Sequence, residues 1–146
     1  MSLKNKVVMV TGGAGFIGSH LVDRILKEKP EKLVIVDNFF LGKHRNIDLA
    51  MGHAPKTKLY YQDAGHYEKM KNIMKIEGVD VVFNLAVVPL LTSHELPKIT
   101  CEDNINITLS MLELAKDGYY KTLIHCSSSE AYGTAEAIPM SETHPL

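Results

Sequence analysis

Residues 7–18 read VVMVTGGAGFIG. Four apolar residues lead into a glycine cluster, and a helical pattern follows it, so the segment predicts a strand, a tight turn and a helix. The glycines fall at Gly12, Gly15 and Gly18, with two residues between successive members. Gly12 can take the backbone angles of a sharp turn. Gly15 lets a phosphate approach the backbone, and Gly18 lets the helix pack close to the strand.

The start of that helix is a candidate anion-binding site. Its free N–H groups and the positive end of its dipole suit a pyrophosphate. Phe16 and Ile17 lie in its first turn and join the three glycines as candidate cofactor-binding residues. A glycine-rich loop alone is a weak signal, but here a strand precedes it, a helix follows it and an acidic residue closes the next strand. The alternative is a glycine turn that binds no ligand.

The composition limits the classes of protein to consider. The chain has 146 residues, which suits one domain, and 45% of them are hydrophobic. Its net charge of −1 predicts neither nucleic-acid binding nor attraction to a membrane surface. No apolar run reaches the roughly 18 residues of a membrane span, and no signal peptide is recognisable. Cys101 and Cys126 match no metal or redox spacing, and the histidines show no ligand spacing, so we expect a cytoplasmic protein without a metal.

Strand-like and helix-like segments alternate along the chain. The predicted strands are about 6–11, 33–37, 58–63, 79–86 and 122–126. The predicted helices are 15–27, 66–77 and 99–116; residues 38–55 form a polar connection with some helical character, residues 89–97 a loop, and residues 127–146 show no periodicity. The first helix is expected to carry on its apolar side Phe16, Ile17, Leu21, Ile25 and Leu26.

This alternation indicates an α/β fold with a Rossmann-type doubly wound parallel sheet. Right-handed crossovers give the strand order 3-2-1-4-5. A sheet of these strands is incomplete at its C-terminal edge. A ligand is expected across the carboxyl ends of strands 1 and 4, where the strand order reverses.

The acidic residue that closes the second strand is Asp37, 19 residues after Gly18. A carboxylate there can accept hydrogen bonds from both ribose hydroxyls of an adenosine, and it would repel a 2′-phosphate. We therefore expect NAD to be favoured over NADP, although Lys43 and Arg45 follow closely and could soften that preference. The alternative is that Asp37 is only a turn residue at a strand end.

Other candidate contacts follow the third and fourth strands. Asp63 can reach an adenine amino group, or can serve only its turn. Asn104 lies early in a mostly apolar helix, where it either contacts the ligand or bonds to neighbouring backbone. The predicted fourth strand ends in Asn84, Leu85 and Ala86, where small residues leave room for a cofactor. The remaining candidates of this group are Asn38, Ala64, Leu85 and Ala86.

The densest polar cluster, CSSSEAYG, spans residues 126–133. It begins where the fifth strand ends, on the ligand side of the sheet. Its hydroxyls can donate a hydrogen bond to a substrate oxygen, and Glu130 can act as an acid or base if burial favours its neutral form. The alternative is a serine-rich turn after a strand.

Together these motifs resemble the extended short-chain dehydrogenase/reductase family, which includes the NAD-dependent sugar-nucleotide epimerases and dehydratases. The match spans nearly the whole chain, in the family's order and at its intervals. It departs from the family pattern at Asn84, where His is usual, at Val87, where Ala or Gly is usual, and at Ile107, where Gly is common. The matching pieces are 11–18, Asp37, Asn38, Asp63, 84–86, Asn104, 112–113, 127–133, Pro139 and 142–145.

The resemblance implies roles for individual residues. In the family, NAD removes a hydride from a nucleotide sugar, usually at C4, and the product depends on the member. By the resemblance, Ser128 is the catalytic hydroxyl that hydrogen-bonds the reacting group, and Glu130 matches the general base of the dehydratases. Asn104 matches a position near the nicotinamide. A homodimer is expected for the complete protein.

The family's catalytic Tyr-x-x-x-Lys pair and its substrate domain would follow residue 146. Neither Tyr119 nor Tyr132 has a lysine four residues later. Residues 1–146 are therefore interpreted as the NAD-binding part of an enzyme, and we expect this chain alone to convert no sugar nucleotide. Two alternatives stay open: a non-catalytic NAD-binding or regulatory module, and the cofactor half of an NAD(P)H-dependent carbonyl reductase.

Overall fold

A computed structural model describes residues 2–52 and 56–145. Strands β1 to β5 are Val7–Thr11, Lys32–Asp37, Thr57–Tyr61, Val81–Asn84 and Thr122–His125. Helices α1 to α5 are Phe16–Lys27, Asp48–Met51, Tyr67–Glu77, Leu90–Ser93 and Pro97–Lys116. Single 3-10 turns cover His44–Ile47 and Ser129–Tyr132. Residues 53–55, which end the predicted connection, and Leu146 lie outside the described residues.

The described strands form one parallel sheet in the order β3-β2-β1-β4-β5, which confirms the predicted fold and strand order. In the register, Thr11 at the end of β1 lies beside Val36 of β2 and Asn84 of β4. Asn84 in turn lies beside His125, the last residue of β5. The carboxyl ends of four strands therefore meet at one edge of the sheet.

Both faces of the sheet are buried, which explains the continuous apolar runs of its central strands. Successive side chains of a strand point to opposite faces. Val8 and Val10 of β1 accordingly pack into the core under α1, whereas Val7 and Met9 pack into the core under α3 and α5. The glycine turn that begins at Gly12 thus follows a strand that is fixed between two cores.

Some element boundaries differ from the sequence-based expectation. Helix α5 begins at Pro97 and not at Ile99, because proline lacks the N–H that would be unpaired in a first turn. The expected loop 89–97 contains the single turn α4, and β4 is shorter at both ends than expected. The expected helical character between β2 and β3 is confirmed by α2 and the 3-10 turn before it.

Within residues 2–52 and 56–145, no helix has both the length and the apolar character needed to cross a membrane. The same described ranges contain no cluster of three or more His, Cys, Asp or Glu side chains that could hold a metal ion.

Candidate functional site

A cavity of about 840 Å³ lies at the edge where the strands end. Its lining includes every residue that the sequence singled out as a cofactor contact, and Ser128 as well. Glu130 is not among the lining residues. The candidates brought together in this way are Gly12, Gly15, Phe16, Ile17, Gly18, Asp37, Asn38, Asp63, Ala64, Leu85, Ala86, Asn104 and Ser128.

Two glycines of the glycine loop, Gly12 and Gly18, are packed too closely to accept a side chain. Gly12 has a φ of +68°, in the left-handed region that glycine adopts freely. A Cβ on Gly18 would lie 2.1 Å from the carbonyl oxygen of Gly12, and a Cβ on Gly12 would lie 2.8 Å from the backbone nitrogen of Ala86. In the glycine loop, the backbone at the start of α1 therefore contacts the backbone that follows β1, and this in turn contacts the backbone that follows β4.

Helix α1 starts at the floor of the cavity with no side-chain cap and no acidic residue in its first turn. Its first N–H groups are therefore left for a ligand, as in an anion-binding helix start. Phe16 and Ile17 are 80% and 64% exposed, so their expected place on the apolar side of α1 is wrong. The buried residues of α1 are Gly18, Ser19, Val22 and Ile25, whereas Phe16 and Ile17 line the cavity.

Asp37 is only 6% exposed, and each of its carboxylate oxygens accepts one backbone N–H. Oδ2 accepts from Ala14 at 2.9 Å, and Oδ1 accepts from Phe39 at 2.8 Å. A carboxylate has about four acceptor sites, so two remain for a ligand. The turn role and the ligand role that the sequence left as alternatives are compatible in this geometry.

Asp63 also combines a turn contact with a place in the lining. Its Oδ1 accepts from the backbone nitrogen of Gly65 at 2.8 Å, and Ala64 between them is buried. Asp63 additionally borders a second cavity of about 400 Å³, between the start of α3 and α5.

Both polar atoms of the Asn104 side-chain amide hydrogen-bond to the backbone of one residue, Val88. Oδ1 accepts from the backbone nitrogen of Val88 at 2.7 Å, and Nδ2 donates to the carbonyl of Val88 at 2.9 Å. Neither sequence-based alternative anticipated this contact, because the backbone that Asn104 bonds belongs to the loop after β4. Asn104 thus clamps that loop, including the 63% exposed Val87, beside the cavity.

Ser128 and Glu130 lie on the exposed segment after β5. The Ser128 hydroxyl accepts from the backbone nitrogen of Glu130 at 3.2 Å and caps the following 3-10 turn. Glu130 is exposed and is not among the residues lining the cavity. The acid or base role expected from the sequence required Glu130 to be buried, and the structure does not show this burial.

A hydrogen-bonded chain across three strand ends was missed by the sequence analysis. The Thr11 hydroxyl donates to Asn84 Oδ1 at 2.5 Å, and Asn84 Nδ2 lies 3.0 Å from Nδ1 of His125. Thr11 and Asn84 are buried, whereas His125 is exposed and lines the cavity. The available signal was that His125 ends a strand on the ligand side.

The spacing Tyr-x-x-x-Lys does occur at Tyr67 and Lys71, but on α3 and outside the large cavity. The Tyr67 hydroxyl donates to Asp117 at 2.6 Å. This hydrogen bond, followed by burial, raises the pKa of Tyr67 to about 12. A proton-accepting tyrosine needs a lowered pKa, so Tyr67 does not replace the family's catalytic tyrosine.

Sequence comparisons connect the chain to enzymes of nucleotide-sugar metabolism. A family model described as GDP-mannose 4,6 dehydratase matches residues 9–146. UDP-glucuronic acid decarboxylase 6 of Arabidopsis thaliana is 34% identical over 142 residues, covering 96% of this chain and 38% of that protein. UDP-glucose 4-epimerase of Lactobacillus helveticus is 32% identical over 140 residues, covering 95% of this chain and 40% of that protein.

Structural comparison gives the same relationship. UDP-glucose 4-epimerase from Bifidobacterium longum, solved in complex with NAD+ and UDP, has a TM-score of 0.84 at 27% identity, covering 95% of this chain and 42% of that one. The chain thus spans about two fifths of the length of these relatives. Because the family model covers nearly the whole sequence, the chain belongs to the GDP-mannose 4,6 dehydratase family, within the extended short-chain dehydrogenases/reductases that its motifs resemble.

Proposed function

We propose that the chain binds NAD across the carboxyl ends of its parallel strands, as the cofactor-binding part of an enzyme that acts on nucleotide sugars. The observation that carries the proposal is the meeting of the glycine loop, the uncapped start of α1 and the Asp37 carboxylate in one cavity. The relatives support it, since they include a decarboxylase and an epimerase of UDP-sugars and an epimerase solved with NAD+.

The residues of the cavity fit this cofactor. A Cβ on Gly15 would meet only the Gly12 carbonyl oxygen, at 3.2 Å, so its other side stays open for a pyrophosphate. The carboxylate of Asp37 keeps acceptor sites for ribose hydroxyls, and its negative charge disfavours the 2′-phosphate of NADP. Candidate partners of the adenosine and nicotinamide ends are, along the cavity, Asn38, Asp63, Ala64, Leu85 and Ala86.

The proposed reaction starts by transient removal of a hydride from the sugar, most simply at C4. NAD, when bound, supplies the hydride acceptor. The Ser128 hydroxyl accepts from Glu130 N, so its own proton is free to donate to the reacting sugar hydroxyl. Glu130 is the proposed base of a dehydratase reaction, working at the mouth of the cavity and not inside it. Return of the hydride would make the enzyme an isomerase, and elimination would make it a lyase.

The domain organisation is part of the proposal. Residues 1–146 would form the NAD-binding part, and the proton-transferring tyrosine and lysine would lie outside them. The 146-residue chain is then expected to bind NAD without converting a sugar nucleotide. Turnover of UDP-glucose by this chain would contradict that division of roles.

A homodimer in the cytoplasm completes the proposal. Ile105, Leu109 and Leu112 are 51%, 50% and 51% exposed on α5, at the alternating four- and three-residue spacing of helix pairing. Leu109→Lys should shift the sedimentation coefficient from dimer to monomer, whereas Ile76→Lys on α3 should not. A monomeric wild-type protein would contradict the dimer.

The proposed cytoplasmic location agrees with the cysteines. Cys101 and Cys126 are free and exposed, as suits a reducing compartment.

The cofactor assignment is tested by Asp37→Ala. Loss of hydrogen bonds to a charged group should weaken NAD binding at least about tenfold. The difference in affinity between NAD and NADP should also become smaller, because the charge that repels the 2′-phosphate is gone. Isothermal titration calorimetry measures both affinities. Asp48→Ala removes an exposed carboxylate of α2 that is not among the residues lining the cavity, and it serves as the control. Unchanged NAD affinity in Asp37→Ala would refute the ribose contact.

A further inference from the structure

Residues 38–46, here called the covering segment, follow β2, pass over Asp37 and include the first three residues of the 3-10 turn His44–Ile47. Three of them, Phe40, Leu41 and Gly42, line the cavity although the sequence analysis did not single them out. The Phe39 ring stacks on the rings of His44 and Tyr61, with centroid distances of 4.1 Å and 5.3 Å. Phe39 also packs against the buried cluster under α1. The side of the segment that faces the glycine loop is here called its inner side.

The inner side is attached to a single residue of the glycine loop, the fully buried Ala14. The Ala14 carbonyl oxygen accepts from the backbone nitrogen of Lys43 at 3.1 Å and from Nδ2 of Asn46 at 2.8 Å. The nitrogen of Ala14 donates to Asp37 Oδ2 at 2.9 Å. Ala14 therefore connects the two: its N–H group bonds to the Asp37 carboxylate, and its carbonyl oxygen bonds to the covering segment.

Gly42 shows how closely the segment lies on the carboxylate. A Cβ at this position would be 2.6 Å from Asp37 Oδ1 and 3.0 Å from the Cβ of Ala14. Such distances leave no room for a side chain at position 42, so only a glycine lets the backbone of the segment lie this close to the carboxylate. A displacement away from it would expose the carboxylate to water and change its orientation.

We propose that Asn46 is a positioning residue of the adenosine end of the site. Its amide fixes the covering segment on Ala14, and Ala14 and Gly42 together hold the Asp37 carboxylate in place for a ribose. Of the two hydrogen bonds to the Ala14 carbonyl, the one from Asn46 is the one that a side-chain substitution removes. The inference rests on the proposed binding of NAD and deepens it.

The expected consequence is a loss of affinity confined to the adenosine half of the cofactor. Asn46→Ala should weaken binding of NAD and of ADP-ribose roughly three- to tenfold, the size expected for one hydrogen bond. The preference for NAD over NADP should also shrink, because a less fixed carboxylate repels a 2′-phosphate less effectively. Asn72→Ala, an exposed asparagine of α3, is the matched control.

The experiment is a double-mutant cycle on the whole chain, read by calorimetry with ADP-ribose. If Asn46 acts through Asp37, Asn46→Ala should change affinity less than about twofold in an Asp37→Ala background, because coupled residues are not additive. A residue that only supports the fold would lower the melting temperature and leave affinity unchanged, or act equally in both backgrounds. Asn46→Asp, which keeps the side-chain size but cannot donate to the Ala14 carbonyl, should weaken binding at least as much.

Each outcome is decisive. Wild-type affinity in both Asn46 variants would overturn this inference and leave the proposed function intact. Equal losses in the wild-type and Asp37→Ala backgrounds would also overturn it. If the wild-type chain binds neither NAD nor ADP-ribose, the proposed function itself fails, and the inference fails with it.

Discussion

At the scale of single residues, the Asn84 amide determines which nitrogen of His125 carries the proton. The backbone nitrogen of Ala86 donates to the Thr11 hydroxyl at 3.4 Å, so that hydroxyl donates onward to Asn84 Oδ1 at 2.5 Å. The amide nitrogen of Asn84 is then the donor to Nδ1 of His125, at 3.0 Å. Neutral His125 must therefore be protonated at Nε2, which is a hydrogen-bond donor at the edge of the cavity.

This protonation state is directly measurable. Nitrogen-15 NMR of the imidazole rings should show that the neutral form of His125 carries its proton on Nε2 in the wild-type protein. Asn84→Ala should mix the two neutral forms, because the donor that stabilises one of them is lost. The resonances of His94, an exposed residue that follows α4 and is not among the residues lining the cavity, serve as the internal reference. A wild-type His125 protonated at Nδ1 would contradict the hydrogen-bond direction.

At the scale of elements, the backbone contact between α1 and the glycine loop sets the depth of the cavity floor. Glycine is needed at position 18 because it has no side chain, and not because its backbone is flexible. A Cβ added there would lie 2.1 Å from the Gly12 carbonyl oxygen. Gly52, which follows α2, is a useful contrast. Its added Cβ would lie 3.4 Å from the Leu49 carbonyl, an ordinary contact.

Gly18→Ala and Gly52→Ala form a matched pair of substitutions. Gly18→Ala should lower the free energy of unfolding by about 1–3 kcal/mol, the usual cost of overpacking, and should weaken NAD binding because α1 must shift. Gly52→Ala should be neutral or stabilising by up to about 1 kcal/mol, since alanine reduces the freedom of the unfolded chain. Urea unfolding measures both changes. Equal effects at the two sites would contradict the close packing of α1.

At the scale of the whole molecule, one buried carboxylate connects α3 to two strands. Glu77 at the end of α3 is bonded by Lys32 Nζ at 2.6 Å and by the Tyr60 hydroxyl at 2.5 Å. Burial raises the pKa of Glu77, but the hydrogen bonds from Lys32 and Tyr60 outweigh it, so the pKa lies below its usual 4.5. Burial, and then Glu77 itself, raises the pKa of Tyr60 to about 12.

These shifts predict how stability depends on pH. Because the pKa of Glu77 is lowered in the folded protein, its contribution is present above pH 4.5 and is lost as the pH falls through the folded-state value. Glu77→Gln should lower the free energy of unfolding by about 1–3 kcal/mol at neutral pH. It should also flatten the acid limb, which is the fall in the free energy of unfolding as the pH decreases below 4.5. Glu68→Gln, at the 65% exposed partner of Lys71, is the control. An acid limb unchanged in Glu77→Gln would contradict this assignment.

The sequence predicts well what is local or periodic. Apolar runs predicted the five described strands, and the position of Asp37 after a strand placed it at the correct edge of the sheet. Contacts that join a side chain to distant backbone were not predictable. Asn46 and Ala14 are separated by 32 positions, and Asn84 and His125 by 41, and no sequence pattern couples such pairs. The exposed position of Glu130 likewise depends on how the chain after β5 packs.

Amide hydrogen exchange of the chain, with and without NAD, tests whether NAD lies across the carboxyl ends of the parallel strands. We expect NAD to slow exchange in the glycine loop and the first turn of α1, in the covering segment and in the loop after β4. Exchange at the opposite, amino ends of the strands should not change. Binding that instead protects only the smaller cavity between α3 and α5, or no protection at saturating NAD, would contradict the account.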